Sequence, residues 1–304
     1  MFTIKSNKNL TFAGSNNITF YKMKNTGIII ALFVAVVALS SCSKYEKLLK
    51  KSDNETKYKL GMECYNKEKY RYATKFFEPI LQYLRGTERD DSVNFYFAKA
   101  YYLSGDPYTA EYYFDMFKRT FPRSVFAEEA TYLYASCLYS QSHRPELDQI
   151  PTIKCITALN EYLYTYPNGN AEQRKKSEEV LNELQQRLID KSFLAAKLYF
   201  KIEDYRSAVE SFKNHLKDYP DSNHREETLF LILKSSYLYA THSKMDRRRE
   251  RYQSTIDEYL NFTSEYPVSD YKKEVETMYA VAVKATQFGS RSIENSNQEN
   301  INEK

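Results

Sequence analysis

Residues 117–135 read FKRTFPRSVFAEEATYLYA. Phe121 precedes Pro122, Ser124 follows two positions on, and Glu128-Glu129 open a new apolar-periodic run. A proline removes a backbone donor and disfavours helix in the residue before it, so it ends a helix. Acids favour the positive end of the next helix. The same joint recurs as Tyr166-Pro167-Asn168-Gly169, Tyr219-Pro220-Asp221-Ser222 and Tyr266-Pro267-Val268-Ser269, with the four prolines 45, 53 and 47 residues apart. A constant joint at uneven spacing predicts a helical repeat with insertions of varying length.

Eight residues before each proline stand Phe114, Leu159, Phe212 and Tyr259, and twelve before stand Ala110, Cys155, Ala208 and Thr255. A small and a large side chain four apart share one helix face. The step occurs once more at Ala73 and Phe77, where Arg85-Gly86 replaces the proline joint. A first helix precedes each of these second helices. It is marked by Gly61 and Cys64, by Ala98 and Tyr101 with Gly105 in the turn, and by Ala196 and Tyr199. In two units an insertion separates the helices, over 140–150 and 241–249, and the first helices carry Ala135/Leu138 and Ser235/Leu238. This order of small, aromatic and proline positions resembles the tetratricopeptide repeat. Five units fit, over roughly 54–268. The resemblance implies an all-α, right-handed superhelical solenoid of about five helix pairs. A capping helix is expected over 270–288, with Tyr279 and Val281 among its apolar positions, and a disordered tail over 289–304.

Seven glycines and eight prolines in 304 residues, with many Lys, Glu, Leu and Tyr, agree with a mostly helical chain. The net charge of +4 comes from four lysines before Cys42; from there on, basic and acidic residues balance at 40 each. A balanced domain gives no steering toward nucleic acid. From Met23 the chain reads MKNTGIIIALFVAVVALSSC, with 12 apolar residues from Ile28 to Leu39. That run is too short to span a bilayer and right for a signal peptide. Met23 reads as the functional start, with 1–22 a misassigned or disordered leader and 23–41 the signal. Leu39-Ser40-Ser41-Cys42 resembles a bacterial lipobox, which implies cleavage before Cys42 and acylation of it. A lipidated tether is expected over 42–53. Ser43 in place of Asp implies the outer membrane rather than the inner one.

Cys64, Cys137 and Cys155 are odd in number and lack histidines at ligand spacing, so they read as small buried residues rather than disulfides or a metal site. His143, His215, His224 and His242 lie at no metal spacing, and His215 reads as a surface or edge residue. No nucleophile elbow, P-loop or dinucleotide fingerprint occurs. The expectation is a non-enzymatic protein without cofactor, beyond the lipid on Cys42, and without a small-molecule substrate. Glu128-Glu129 and Glu226-Glu227 are helix-opening acids.

The sharper signal is aromatic. Tyr58/Tyr65, Phe95/Tyr102, Tyr132/Tyr139, Phe193/Phe200 and Ile232/Tyr239 are pairs seven residues apart, each on one face of a first helix. The rings either line a peptide-binding groove or pack between repeats. Lys99 and Lys197 add charge suited to a carboxylate. The repeat family's carboxylate clamp wants Lys-Asn-Asn where this chain has Tyr58, Met62 and Tyr65, which argues against a chaperone-tail adaptor.

The signal, the five repeats and the Lys69-Tyr70-x-x-Ala73 stretch resemble the BamD, or YfiO-like, family of outer-membrane assembly lipoproteins. The resemblance implies a lipid-anchored scaffold on the periplasmic face. Its N-terminal repeats would bind unfolded barrel precursors through Tyr58, Tyr65, Phe95, Lys99 and Tyr102, with Tyr132 and Tyr139 further along. Its C-terminal repeats would dock on a BamA-like barrel assembly protein, for which Arg247, Arg248, Arg249 and Arg251 are the candidate contacts. Two alternatives are a repeat lipoprotein organising other envelope or cell-wall complexes, and a SusD-like glycan-binding lipoprotein. The second would require about twice the length and, for sugar stacking, the tryptophan this chain lacks.

Overall fold

The structure, a computed structural model, describes the backbone over 45–302 and side chains over 45–287. The signal segment and Cys42 lie outside the described residues. Every regular element is helical: α1 over 45–51, α2 Asn54–Asn66, α3 Tyr70–Phe77, α4 Leu81–Leu84, α5 Asp90–Leu103, α6 Pro107–Thr120, α7 Ala127–Gln141, α8 Ile150–Thr165, α9 Ala171–Lys201, α10 Tyr205–Asp218, α11 Arg225–Thr241, α12 Met245–Glu265 and α13 Lys272–Asn302. A 3-10 turn, Glu78–Ile80, joins α3 to α4. The chain divides into two compact units, one through Ala127 and one from Glu128.

In the first unit α2 pairs with α3 and α5 with α6, as the small-to-large pattern predicts. The close approach is literal at Gly61, where a Cβ would sit 2.6 Å from Cε1 of Phe77. Cys64, Ala73, Phe76, Phe77, Phe97 and Ala100 close the core behind them. Within the expected tether, 45–51 is helix. Tyr45, Leu48 and Leu49, spaced three and four apart, bury one face on this core. Tyr45 stacks on Tyr72 at 4.6 Å, and its hydroxyl accepts from Lys69 Nζ at 3.0 Å.

In the second unit α9 is one helix of 31 residues, about 46 Å long. Its first half packs on α8 and its second half on α10. The sequence pattern marks only the second half. Asn170 caps it by accepting from the amides of Glu172 and Gln173 at 3.1 and 3.0 Å. The insertion after α7 is a loop, tied to α9 by Arg187 donating to Ser142 O and by Lys191 donating to Glu146 O, each at 2.9 Å. The second insertion is not a loop. It lengthens α11 to Thr241 and starts α12 at Met245, leaving three residues between them. In α13 the buried face is Val275, Met278 and Ala282, whereas Val281 is exposed. The helix continues through Asn302, where composition predicts a disordered tail from Gly289. One internal glycine costs a helix only about 1 kcal/mol and does not by itself end it.

The four joints share one geometry. Phe121, Tyr166, Tyr219 and Tyr266 have φ of −123°, −120°, −134° and −124°. Each donates its amide to the carbonyl four residues back, at 2.8 to 3.0 Å. Those carbonyls belong to Phe117, Tyr162, His215 and Phe262, each no more than 1% exposed. The serines do not cap the next helix directly. Ser124, Ser222 and Ser269 accept from the amide two residues on, each at 3.1 Å, closing the turn that leads into it.

Candidate functional site

The aromatic pairs divide into two classes. Phe95 is wholly buried, stacked on Phe126 at 4.6 Å with the Lys99 ammonium 5.4 Å from its ring centre. The arrangement recurs in the second unit. Phe193 stacks on His224 at 4.2 Å under Lys197, which pairs with Glu227 at 2.7 Å. Phe230 stacks on Tyr271 at 4.0 Å under Lys234, which pairs with Glu274 at 2.8 Å. Each is a clasp in which a first-helix Phe and the Lys four residues on meet an aromatic four residues past the joint proline. The repeat register of the fifth unit is therefore set by Phe230 and Lys234, two residues before the expected Ile232, itself buried in the core. Phe95, buried in packing, is not a surface for a partner. Lys197 is already neutralised by Glu227, so it is no clamp for a foreign carboxylate. Glu227 is thereby an ion-pair partner and not merely a helix-opening acid.

The other members of the stripe are half-buried, each with an edge in water. In the first unit Tyr58 lies under the Arg89 guanidinium at 4.9 Å, which also makes a two-pronged pair with Glu55 at 3.0 and 2.9 Å. Tyr65 meets Tyr70 and Tyr96 edge-on at 5.5 and 5.0 Å. Tyr102 is half-buried near the end of α5. In the second unit Tyr132 packs on Tyr162 at 5.7 Å and lines a polar pocket of about 460 Å³ with Asn170, Gln173 and Lys176. Tyr139 donates to Glu183 at 2.9 Å, and that bond, with burial, raises its phenol pKa. Glu128 accepts from the amide of Asn170 at 2.6 Å and from the Tyr162 hydroxyl at 3.3 Å, which ties α7 to the joint before α9.

The arginine cluster sits on the first turns of α12. Arg251 lies over the Tyr239 ring at 3.9 Å and donates to Ser243 Oγ, and Arg248 Nε donates to Ser243 O at 3.2 Å. Arg247 faces Asp246 and Glu250 at 3.9 and 3.7 Å. Arg248 and Arg251 thus fasten α12 to the end of α11. Arg247 and Arg249 are the exposed members.

His215 departs from the sequence reading. It is buried at 1% exposure, with Nε2 3.0 Å from Ser222 Oγ and no partner on Nδ1. Burial, then the neighbouring His224, lowers its pKa. The reason is its place five residues before Pro220, where the other joints carry Phe117, Tyr162 and Phe262. Cys64, Cys137 and Cys155 are buried as predicted, and none of them is in a disulfide among the described residues. Burial pushes the Cys155 thiol up to about 12, which leaves it protonated and unreactive. Among the described residues no group of three His, Cys, Asp or Glu is placed to hold a metal, and no helix is long and apolar enough to cross a membrane.

The described residues thus form a helical-repeat architecture with half-buried tyrosines along its first helices and polar clasps between them. The chain belongs to the YfiO family, outer membrane lipoprotein, which matches residues 50–251. It is similar to the outer membrane protein assembly factor BamD of Rickettsia prowazekii (strain Madrid E), 23% identical over 229 residues, or 73% of this chain and 88% of that protein. It is similar also to the putative outer membrane protein assembly factor BamD of Aquifex aeolicus (strain VF5), 25% identical over 226 residues, or 74% of this chain and 72% of that one. Among solved structures, the TPR2AB-domain:pHSP90 complex of yeast Sti1 matches 76% of this chain and 98% of its own at 12% identity, with a TM-score of 0.35, too loose to align individual residues.

Proposed function

We propose that this protein is a lipid-anchored scaffold of outer-membrane β-barrel assembly. It is tethered by acylated Cys42 on the periplasmic face, and it binds segments of unfolded barrel precursors and a BamA-like partner. The observation that carries the reading is family membership over 50–251, together with two relatives named as outer membrane protein assembly factors. The stripe adds a surface of suitable chemistry. Tyr58, Tyr65 and Tyr102 of the first unit offer apolar faces with polar rims to an extended chain, and within the second unit Tyr132 and Tyr139 are separate candidates of the same chemistry. Phe95, buried against Phe126, supports α5 from within, and the half-buried Lys99 lies over its ring. Arg247 and Arg249 are the docking candidates left exposed for the C-terminal contact. Enzymatic chemistry has no part in the reading, since holding a precursor requires binding and release alone.

The test is photocrosslinking in cells from Tyr65 and Tyr102, each replaced singly by a photoreactive residue. Barrel precursors and a large barrel protein of the BamA kind should be trapped. Recovery of only cell-wall-linked partners would replace this reading with that of an envelope organiser.

A further inference from the structure

The repeats act as controls for one another. In the second helices, the positions 14, 10 and 6 residues before the joint proline are Arg206, Glu210 and Asn214 in α10, and Gln253, Asp257 and Asn261 in α12. In α8 they are Ile153, Thr157 and Glu161. These are outward positions, and polar side chains dominate them. In α6 they are Tyr108, Tyr112 and Met116, exposed at 64%, 61% and 45%. A stripe of three large apolar side chains down one helix is a feature that core packing does not require. The first unit also places Arg71 and Lys75 at the corresponding positions of α3, both exposed and neither in an ion pair among the described residues. The outward face of this unit is thus aromatic on one helix and basic on its neighbour. That pairing suits the headgroup boundary of an anionic bilayer, where tyrosine seats its ring and cations meet phosphates.

The chain outside the described residues points to the same occupant. Tyr45 is fixed on Tyr72 and Phe76 of α3. Only Ser43 and Lys44 separate it from Cys42, a reach of at most about 11 Å. A fatty acyl group on Cys42 would hold Tyr45 within that distance of lipid and with it the α3 face it packs on, and α6 is joined to α3 through α5. We propose that the outward face of α3 and α6 lies on an anionic phospholipid surface, with Tyr108, Tyr112 and Met116 at the headgroup boundary and Arg71 and Lys75 against phosphate. This inference rests on the reading of Cys42 as acylated.

The chain contains no tryptophan, so one introduced indole reports its own position. The full chain carrying Tyr112→Trp, with Tyr108→Trp as a second variant should the first misfold, is produced in cells fed labelled palmitate. It is then reconstituted into phosphatidylethanolamine/phosphatidylglycerol vesicles containing brominated lipid. Val125→Trp, at an 88% exposed site on the joint beyond α6, is the reference. Quenching about twofold or more above that reference, reduced by high salt or phosphatidylcholine vesicles, is the expected result. Equal quenching at both sites, or none at Tyr112→Trp in palmitate-labelled protein, overturns the inference while leaving the anchor intact. An indole blue shift that grows with protein concentration without vesicles assigns the stripe to a second copy and overturns it too. Absence of palmitate removes the anchor reading and this inference with it.

Discussion

At the scale of single residues, His215 shows how a repeat tolerates a polar side chain where its other copies bury an aromatic one. Its ring meets Phe193 of α9 and Tyr219 of the joint, and His224, stacked on the same Phe193, acts on its charge. The charged groups that face it are Asp190 of α9, Asp218 of α10 and His224 ahead of α11. The carboxylates favour its protonation, while burial and His224 oppose it more strongly. The folded pKa lies below that of an ordinary histidine, so the unfolded chain binds the proton more readily. The stabilisation from a neutral His215 is therefore complete above the unfolded value of about 6.5, and it is lost as pH falls below that value toward the folded one. His215→Phe restores the residue type of Phe117 and Phe262 and removes a buried nitrogen without a partner. It is expected to raise stability at neutral pH by about 1 kcal/mol. It should also flatten the fall in urea midpoint between roughly pH 7 and 5. Ser222 keeps a bond in the variant, because its hydroxyl accepts from His224 N. A variant whose midpoint still falls with the wild-type slope would assign the acid sensitivity to other groups.

At the scale of elements, much was legible because the repeat writes its contacts in residue size. Gly61, Ala98, Ala110 and Ala208 mark close approaches, and Phe77, Phe114 and Phe212 fill them; all of these side chains are buried. What stayed hidden follows from physics that a period does not record. The first half of α9 lies ahead of the part the pattern marks and packs on α8, and helix propensity with an Asn170 cap makes it continuous with the second half. Phe95 reads as a groove residue from its spacing alone. Its burial depends on Phe126, 31 positions away in sequence, and the signal that would have found it is the Phe-Lys step repeated at Phe193-Lys197 and Phe230-Lys234. The inter-helix turns also hide a regularity. Glu68, Gly105 and Glu203 occupy the same turn position with φ of 57°, 85° and 64°, a left-handed conformation that costs an L-residue about 1–2 kcal/mol. Open space surrounds Gly105, so the conformation alone, and not crowding, sets the residue preference. Glu203→Gly should then stabilise by about 0.5–1 kcal/mol, the strain relieved less the greater freedom of glycine in the unfolded chain. Gly105→Ala should cost a similar amount. Denaturant midpoints at unchanged slope check both, and a destabilised Glu203→Gly protein would show that the Glu203 side chain has a role the turn geometry does not reveal.

At the scale of the whole molecule, the decisive question is what holds on a membrane a helical protein whose charges balance from Cys42 onward and none of whose described helices is apolar enough to cross it. Acyl chains on one cysteine suffice, because each buried methylene contributes about 0.8 kcal/mol and more than one chain makes release slow. The proposed attraction of Arg71 and Lys75 to anionic lipid would be far weaker and screened within about 10 Å at ordinary salt. The two contributions therefore separate in one variant. Cys42→Ser should lose all incorporation of labelled palmitate and leave the membrane fraction at physiological salt. Some binding to anionic vesicles should remain at low ionic strength, and 0.5 M salt, on the order of three times physiological, should abolish it. Wild-type protein should resist the same salt, since methylene burial carries no charge to screen. Membrane retention of Cys42→Ser protein through the salt wash would place the anchor elsewhere in the chain, and persistence of the palmitate label would identify a different acylated residue.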